Sequence, residues 1–395
     1  MSASASPSPG QHPLQLDIFA PHGVLQKFRF MGRSRTALVA TALASLLAFL
    51  LAAAADGNLI QGSLHKILCQ DARSYVNASH KICNSYGFAQ DIVALRDLGT
   101  LAVACLLPLT IPLMFRQWEG ITHFLRAMDE RGILRIGDRT QVDHEVSLCN
   151  QYFRRWGSWN PLVCLVAVLF MLLVVGAEAS GRVYPILKTS SRGYGVLPEH
   201  WWASIIGPHL AGILYFTVGF VVIYIILLQN VHGARVVFLL WRLRTLVIYE
   251  ADVTNQDGSY GWSEVKAILF ATWSLTIVHG LCLGLVALSL PKGEATAVAP
   301  LLLQWVIVTP FYIIIPVWLT RRNLTAWKRR GRTVFESRIA AATTQAARSQ
   351  LSHEMRTLVR VKVNPYAGVV RRTFHYLGLI GSIVLVIQVV QYIYK

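Results

Sequence analysis

Seven stretches of this chain are strongly apolar, and most charged residues fall in the segments between them. The stretches cover residues 37–55, 97–115, 160–177, 205–228, 267–290, 299–319 and 375–394. Each comes close to the ~20 residues that a helix needs to cross about 30 Å of hydrocarbon. A peptide group in lipid must find its hydrogen-bond partner within its own segment, so each stretch is predicted to be helical. The pattern predicts an all-α, polytopic transmembrane bundle of about seven spans over residues 37–394. Residues 1–36 carry Ser, Pro and four basic residues and are predicted to be a disordered basic tail. The Ala52–Ala55 run that ends the first stretch also resembles the end of a signal peptide, but the lead-in is long, so a retained span is expected.

The segments 116–158, 229–265 and 320–374 have a helical period of their own. In the first, Trp118, Ile121, Phe124, Leu125 and Met128 recur at helical spacing. In the second, Val236, Val237, Leu239, Leu240, Leu243 and Leu246 extend the apolar side of the preceding span. Residues 333–362 suggest a basic, Ala-rich helix whose apolar side is Ile339, Leu351, Met355, Leu358 and Val359. Together they predict a helical layer beneath the membrane, suited to packing, lipid contact or assembly of a homo-oligomer.

Charge decides which face that layer is on. Residues 320–374 hold 13 of the 37 Lys and Arg residues. With the N-terminus inside, the inside segments hold 27 basic residues and the outside segments 8. Basic loops stay cytoplasmic, so the N-terminus is predicted inside and the C-terminus outside. The sequence pI of about 9.9 is then a matter of orientation and of contact with the anionic inner leaflet. No nucleic-acid-binding motif accompanies it, so no nucleic-acid partner is expected. Hydrophobic residues make up 54% of the chain and charged residues 14%, which places it in the cell membrane rather than among soluble domains.

Candidate chemistry is sparse. There is no P-loop, HExxH, GxSxG or dinucleotide fingerprint, so neither an enzyme nor a cofactor is expected. Asp138, Asp143, His144 and Glu145 cluster before the third span and read as a solvated face. Residues 252–258 read as a turn, because their Gly sits one place late for a calcium loop. The cysteines have no metal spacing. Cys69 and Cys83 share the first outside loop, where a disulfide and two free thiols are equally open readings. Asn77-Ala78-Ser79 is a glycosylation sequon in the same loop. No carboxylate lies deep in a span, which argues against a proton- or sodium-coupled pump. His279, near a span centre, reads as a hydrogen bonder within the bundle.

Two features remain. Pro108, Pro112, Pro208, Pro310 and Pro316 interrupt three spans and are candidate hinges, or only shape their helices. Gln388 and Gln391 share one face of the last span, with Leu385 close by. In an oligomer they make a polar ring and an apolar gate, or else they bond to neighbouring helices.

The stretch Q-D-I-V-A-L-R-D-L-G-T-L-A-V-A-C-L-L-P-L from residue 90, Trp201-Trp202 with Pro208, and the turn Asn255 to Trp262 also stand out. In these features residues 90–340 resemble a family of uncharacterised bacterial multi-pass membrane proteins. That family tends to carry His-Pro-Asp-x-x-Gly-Gly at the turn, where this chain has Asn255-Gln256-Asp257-Gly258. The last span also resembles that of the insect gustatory and odorant receptor superfamily. That superfamily ends on Thr-Tyr, five hydrophobic residues and Gln-Phe; here Gly381-Ser382 precede Ile383 to Ile387, then Gln388-Val389. It implies a seven-span, N-in, ligand-gated cation channel, usually tetrameric, with Leu385 at the gate and Gln388 at the polar ring. Three functional readings follow: a non-catalytic membrane protein working through membrane partners or lipid, such a channel with an unknown ligand, or a facilitator-type transporter.

Overall fold

The computed structural model describes residues 14–20, 22–34, 36–59, 94–96, 98–156, 160–179, 202–206, 209–250, 261–289, 299–360, 371 and 375. It is mostly helical. In chain order the helices are α1 (Gly23–Lys27), α2 (Phe30–Arg33), α3 (Ala37–Ala55), α4 (Leu98–Leu106), α5 (Thr110–Glu130), α6 (Arg139–Trp156), α7 (Asn160–Ala179), α8 (Leu210–Leu243), α9 (Ser263–Ser289), α10 (Ala299–Ala341) and α11 (Gln345–Arg360). Two short strands, β1 (Leu134–Ile136) and β2 (Val247–Tyr249), pair antiparallel with Arg135 opposite Ile248.

Four helical stretches are long and apolar enough to cross a membrane: Ala37–Ala55, Thr100–Glu130, Leu210–Leu243 and Ser263–Leu285. A fifth is added if Arg139–Arg155 and Asn160–Gly176, which meet at 56°, form one bent span. This count covers the described residues. The last predicted span, 375–394, lies outside them except for His375, and residues 299–319 form the first half of α10.

Local chemistry explains where these helices start and stop. α3 is built from Ala and Leu, the best helix formers, with no Gly or Pro inside it. It ends where Gly57 turns to φ 72°, so that Asn58 N–H bonds to Ala53 O at 2.8 Å and Gly57 N–H to Ala54 O at 3.0 Å. This is the Schellman closure, which needs a residue that tolerates positive φ. Gly132 (φ 69°) closes α5 in the same way, with Ile133 N–H on Met128 O at 2.9 Å. The proline-bearing second span breaks where Pro108 sits, in a 3₁₀ turn over Leu107–Leu109. Pro112 falls in the first turn of α5, where a missing N–H leaves no intrahelical bond unmade. Pro310 and Pro316 lie inside the continuous α10, and Pro208 lies outside the described residues.

Several helices are longer than a bilayer is thick. α8 has 34 residues, about 51 Å, and α10 has 43, about 65 Å, against ~30 Å of hydrocarbon. Their surplus turns, with α6 and the second half of α5, enclose the largest apolar cluster of the described residues. Trp118, Phe124, Met128, Phe153, Leu228 and Leu239 are all buried there. A smaller cluster around Phe49, Ala53, Trp202 and Ala211 closes the opposite end.

The N-terminal segment differs from the expectation of a disordered tail up to residue 36. Leu14, Leu16 and Ile18 are fully buried in the large cluster and Phe19 nearly so. Leu16 N–H bonds to Thr122 O at 3.2 Å, and Asn150 grips the backbone on both sides, through Gln15 O (2.9 Å) and Asp17 N–H (2.8 Å). Arg154 pairs with Asp17 at 2.9 Å. The strap 14–34 is therefore a packed part of the layer. The apolar gain comes from alternate residues of an extended segment, and distant side chains on α6 satisfy its polar backbone.

Tight backbone packing also seats the start of α8. A Cβ on Gly212 would overlap the carbonyl of Ser204. Gly212→Ala is expected to cost about 1–3 kcal/mol, the usual range for overpacking. The thermal unfolding midpoint in detergent should fall by several degrees, and an unchanged midpoint would show that the two segments are not in contact.

Candidate functional site

The most concentrated polar chemistry of the described residues lies inside the large apolar cluster. His22, just before α1, meets His232 of α8, with Nε2 to Nε2 at 3.0 Å. Asn160, the first residue of α7, places its amide nitrogen 3.2 Å from His22 Nδ1. In that orientation His22 Nδ1 accepts, so the His22 proton sits on Nε2 and is donated to His232 Nε2. Trp118 of α5 lies 5.6 Å from the His22 ring and 5.2 Å from the His232 ring, and Phe153 of α6 lies 5.3 Å from His232. Strap, α5, α6, α7 and α8 thus all contribute to one chamber. Desolvation pushes the His22 imidazole down to about 4, so the pair is neutral at physiological pH.

A second clamp is built on Glu119, the residue that follows Trp118 on α5. Glu119 accepts from Arg29 Nε (2.9 Å) and Nη2 (2.8 Å) through one oxygen and from Arg33 Nε (2.7 Å) through the other. His123 Nε2 is 3.3 Å from the same carboxylate. Arg29 also lies 4.9 Å over the Phe19 ring. Charge-assisted bonds of this kind are short and directional, so two basic residues of the strap are fixed to α5. Gly32 completes the fit, since a Cβ there would come within 2.6 Å of Phe115 O.

Within the bundle, polar side chains pair with one another. Thr110 Oγ1 lies 3.1 Å from His279 Nε2, which is the interhelical hydrogen bond expected of His279. Gln117 donates to Thr272 Oγ1 at 2.8 Å and accepts from Gln229 at 3.4 Å, linking α5, α9 and α8. At the other end, Asp56 accepts the N–H groups of Leu210 and Ala211, both at 2.9 Å. It thereby caps the N-terminus of α8 with a negative charge.

The acidic cluster of α6 is dispersed among separate tasks. Asp138 accepts from Gln141 N–H (3.1 Å), Asp143 lies 3.5 Å from Arg139, and Glu145 pairs with Arg242 at 2.7 Å. No group of three potential metal ligands occurs among the described residues. A cavity of about 720 Å³ opens beside the Glu145–Arg242 pair, lined also by His144, Trp241 and Arg244. Leu385, Gln388, Gln391, Asn77, Cys69 and Cys83 lie outside the described residues.

No family model, curated protein or solved structure matches this chain.

Docking of the strap should depend on pH. His22 has a pKa of about 4 when buried and about 6.5 when released. Between those values the released strap binds more protons, so docking is fully stable above pH 6.5 and weakens as pH falls toward 4. Spin labels on Val24→Cys and Gln141→Cys should report a longer distance at pH 5 than at pH 7.5. His22→Phe combined with His232→Phe should largely remove the change, because burial also depresses the His232 imidazole, and a change that persists undiminished would contradict the assignment to this pair.

Proposed function

We propose that this chain is a non-catalytic, multi-pass protein of the cell membrane that works through membrane partners or lipid. Its N-terminus is cytoplasmic, its C-terminus is outside, and it has about seven spans. The observation that carries the reading is continuity. α5, α8 and α10 run from apolar stretches directly into surplus turns, and those of α5 and α8 share one buried layer with the N-terminal strap. A tilt or shift of such a helix in the membrane moves that layer with it, because packed interiors are not continuously deformable. The basic residues that follow the apolar half of α10, beginning with Arg321 and Arg322, support the orientation.

A second reading is a ligand-gated cation channel resembling the gustatory and odorant receptors. The polar contacts between helices, Thr110 with His279 and Gln117 with Thr272 and Gln229, favour it. Such contacts let polar side chains sit between the helices of a membrane bundle.

Cation flux in proteoliposomes separates the two. The first reading predicts no flux from the wild type or from Leu385→Ala. Flux that rises with Leu385→Ala and falls with Gln388→Arg would instead make the last span a pore.

A further inference from the structure

α8 and α10 lie side by side and run in the same direction, since Tyr312 Oη donates to Asn230 O at 2.6 Å and Trp318 stacks on Trp241 six residues further along. Both carry the same order of side chains toward their cytoplasmic ends. On α10 it is Ile314, Trp318 and Arg322, at i, i+4 and i+8; on α8 and its C-cap it is Phe238, Trp241 and Arg244, at i, i+3 and i+6. These spacings put each trio on one helix face.

The indole rings are 6.0 Å apart and within 20° of parallel. A guanidinium lies over each ring, Arg244 at 3.5 Å from Trp241 and Arg322 at 5.4 Å from Trp318. The four apolar members are all exposed, with Phe238 at 49%, Ile314 and Trp241 at 43% and Trp318 at 42%. Neighbouring Arg242 is neutralised by Glu145 at 2.7 Å. Among the described residues Arg244 and Arg322 have no carboxylate partner. Counted from Ala299, α10 has risen about 30 Å by Trp318, one hydrocarbon thickness, and α8 has risen about 47 Å from Leu210 by Trp241, so the stacked pair lies at the end of the apolar half of α10 and in the surplus turns of α8.

We propose that this paired ladder is a binding site for one anionic phospholipid of the cytoplasmic leaflet. Its acyl chains lie along Ile314, its glycerol region against the two indoles, and its phosphate between Arg244 and Arg322, while the Arg235 guanidinium, 5.2 Å over the Phe238 ring, keeps Phe238 at the edge of the site. The order apolar, tryptophan, cation is the order in which a lipid changes from tail to headgroup. A soluble anion would use the two cations but not the apolar rungs above them. The inference deepens the membrane reading above and rests on it.

The test uses the full chain in liposomes with brominated phosphatidylglycerol or brominated phosphatidylcholine at equal mole fraction. The quenching lost in Trp241→Phe with Trp318→Phe isolates these two indoles, and Trp318→Phe alone reads one of them. We expect this part to be at least about threefold larger with the anionic lipid, and Arg244→Gln with Arg322→Gln to remove the difference. Equal quenching by the two lipids, or an excess that survives the arginine substitutions, would overturn the site. Quenching of the other tryptophans but not of this pair would also overturn it, and is what a protein cover or a second copy would give. If no tryptophan is quenched by either lipid, the membrane reading itself fails.

Discussion

A peptide group in hydrocarbon has no water to bond, so a segment that crosses the membrane must satisfy its backbone internally. The rest of this structure depends on that constraint. It makes the apolar stretches helical whatever their side chains, and it makes them end by closing their own carbonyls. Gly57 and Gly132 do so through positive-φ closures, and Asp56 supplies the acceptor that the first amides of α8 lack. Nothing obliges a helix to stop at the bilayer surface, however. α8 and α10 are far longer than ~30 Å of hydrocarbon requires, and turns of α5 and α8 enclose the large apolar cluster.

That cluster is closed by a segment from the far end of the sequence. Leu14, Leu16, Ile18 and Phe19 fill its core, while Asn150, Arg154, Glu119 and His232 hold the polar groups that come with them. Buried polar pairs contribute little net energy but are costly to break singly, so they fix position more than they add stability. The His22–His232 contact is of this kind. It lies among Trp118, Phe153 and Phe19, where only the neutral pair is tolerated.

Much of this was legible from periodicity. Residues 37–55 coincide with α3, and 160–177 lie within α7. The helical spacing of Trp118, Ile121, Phe124, Leu125 and Met128 correctly marked the buried face of α5. The strap was not legible. Leu14, Leu16 and Ile18 alternate over only five residues, too short a run to stand out beside Ser and Pro. His22 and His232 are 210 residues apart, so no local pattern joins them. The Trp241–Trp318 pair is hidden for the same reason, since its register comes from how α8 and α10 pack.

The claim that the membrane helices continue into a layer clasped by the N-terminal strap can be tested by hydrogen–deuterium exchange on the protein in lipid nanodiscs. Burial of Leu14 to Phe19 against α5 predicts that amides of Leu16 and Asp17 are protected together with those of Trp118 to Met128, and that Asn150→Ala speeds exchange in the strap. Exchange of residues 14–19 at the rate of an unstructured chain, with α5 still protected, would contradict it.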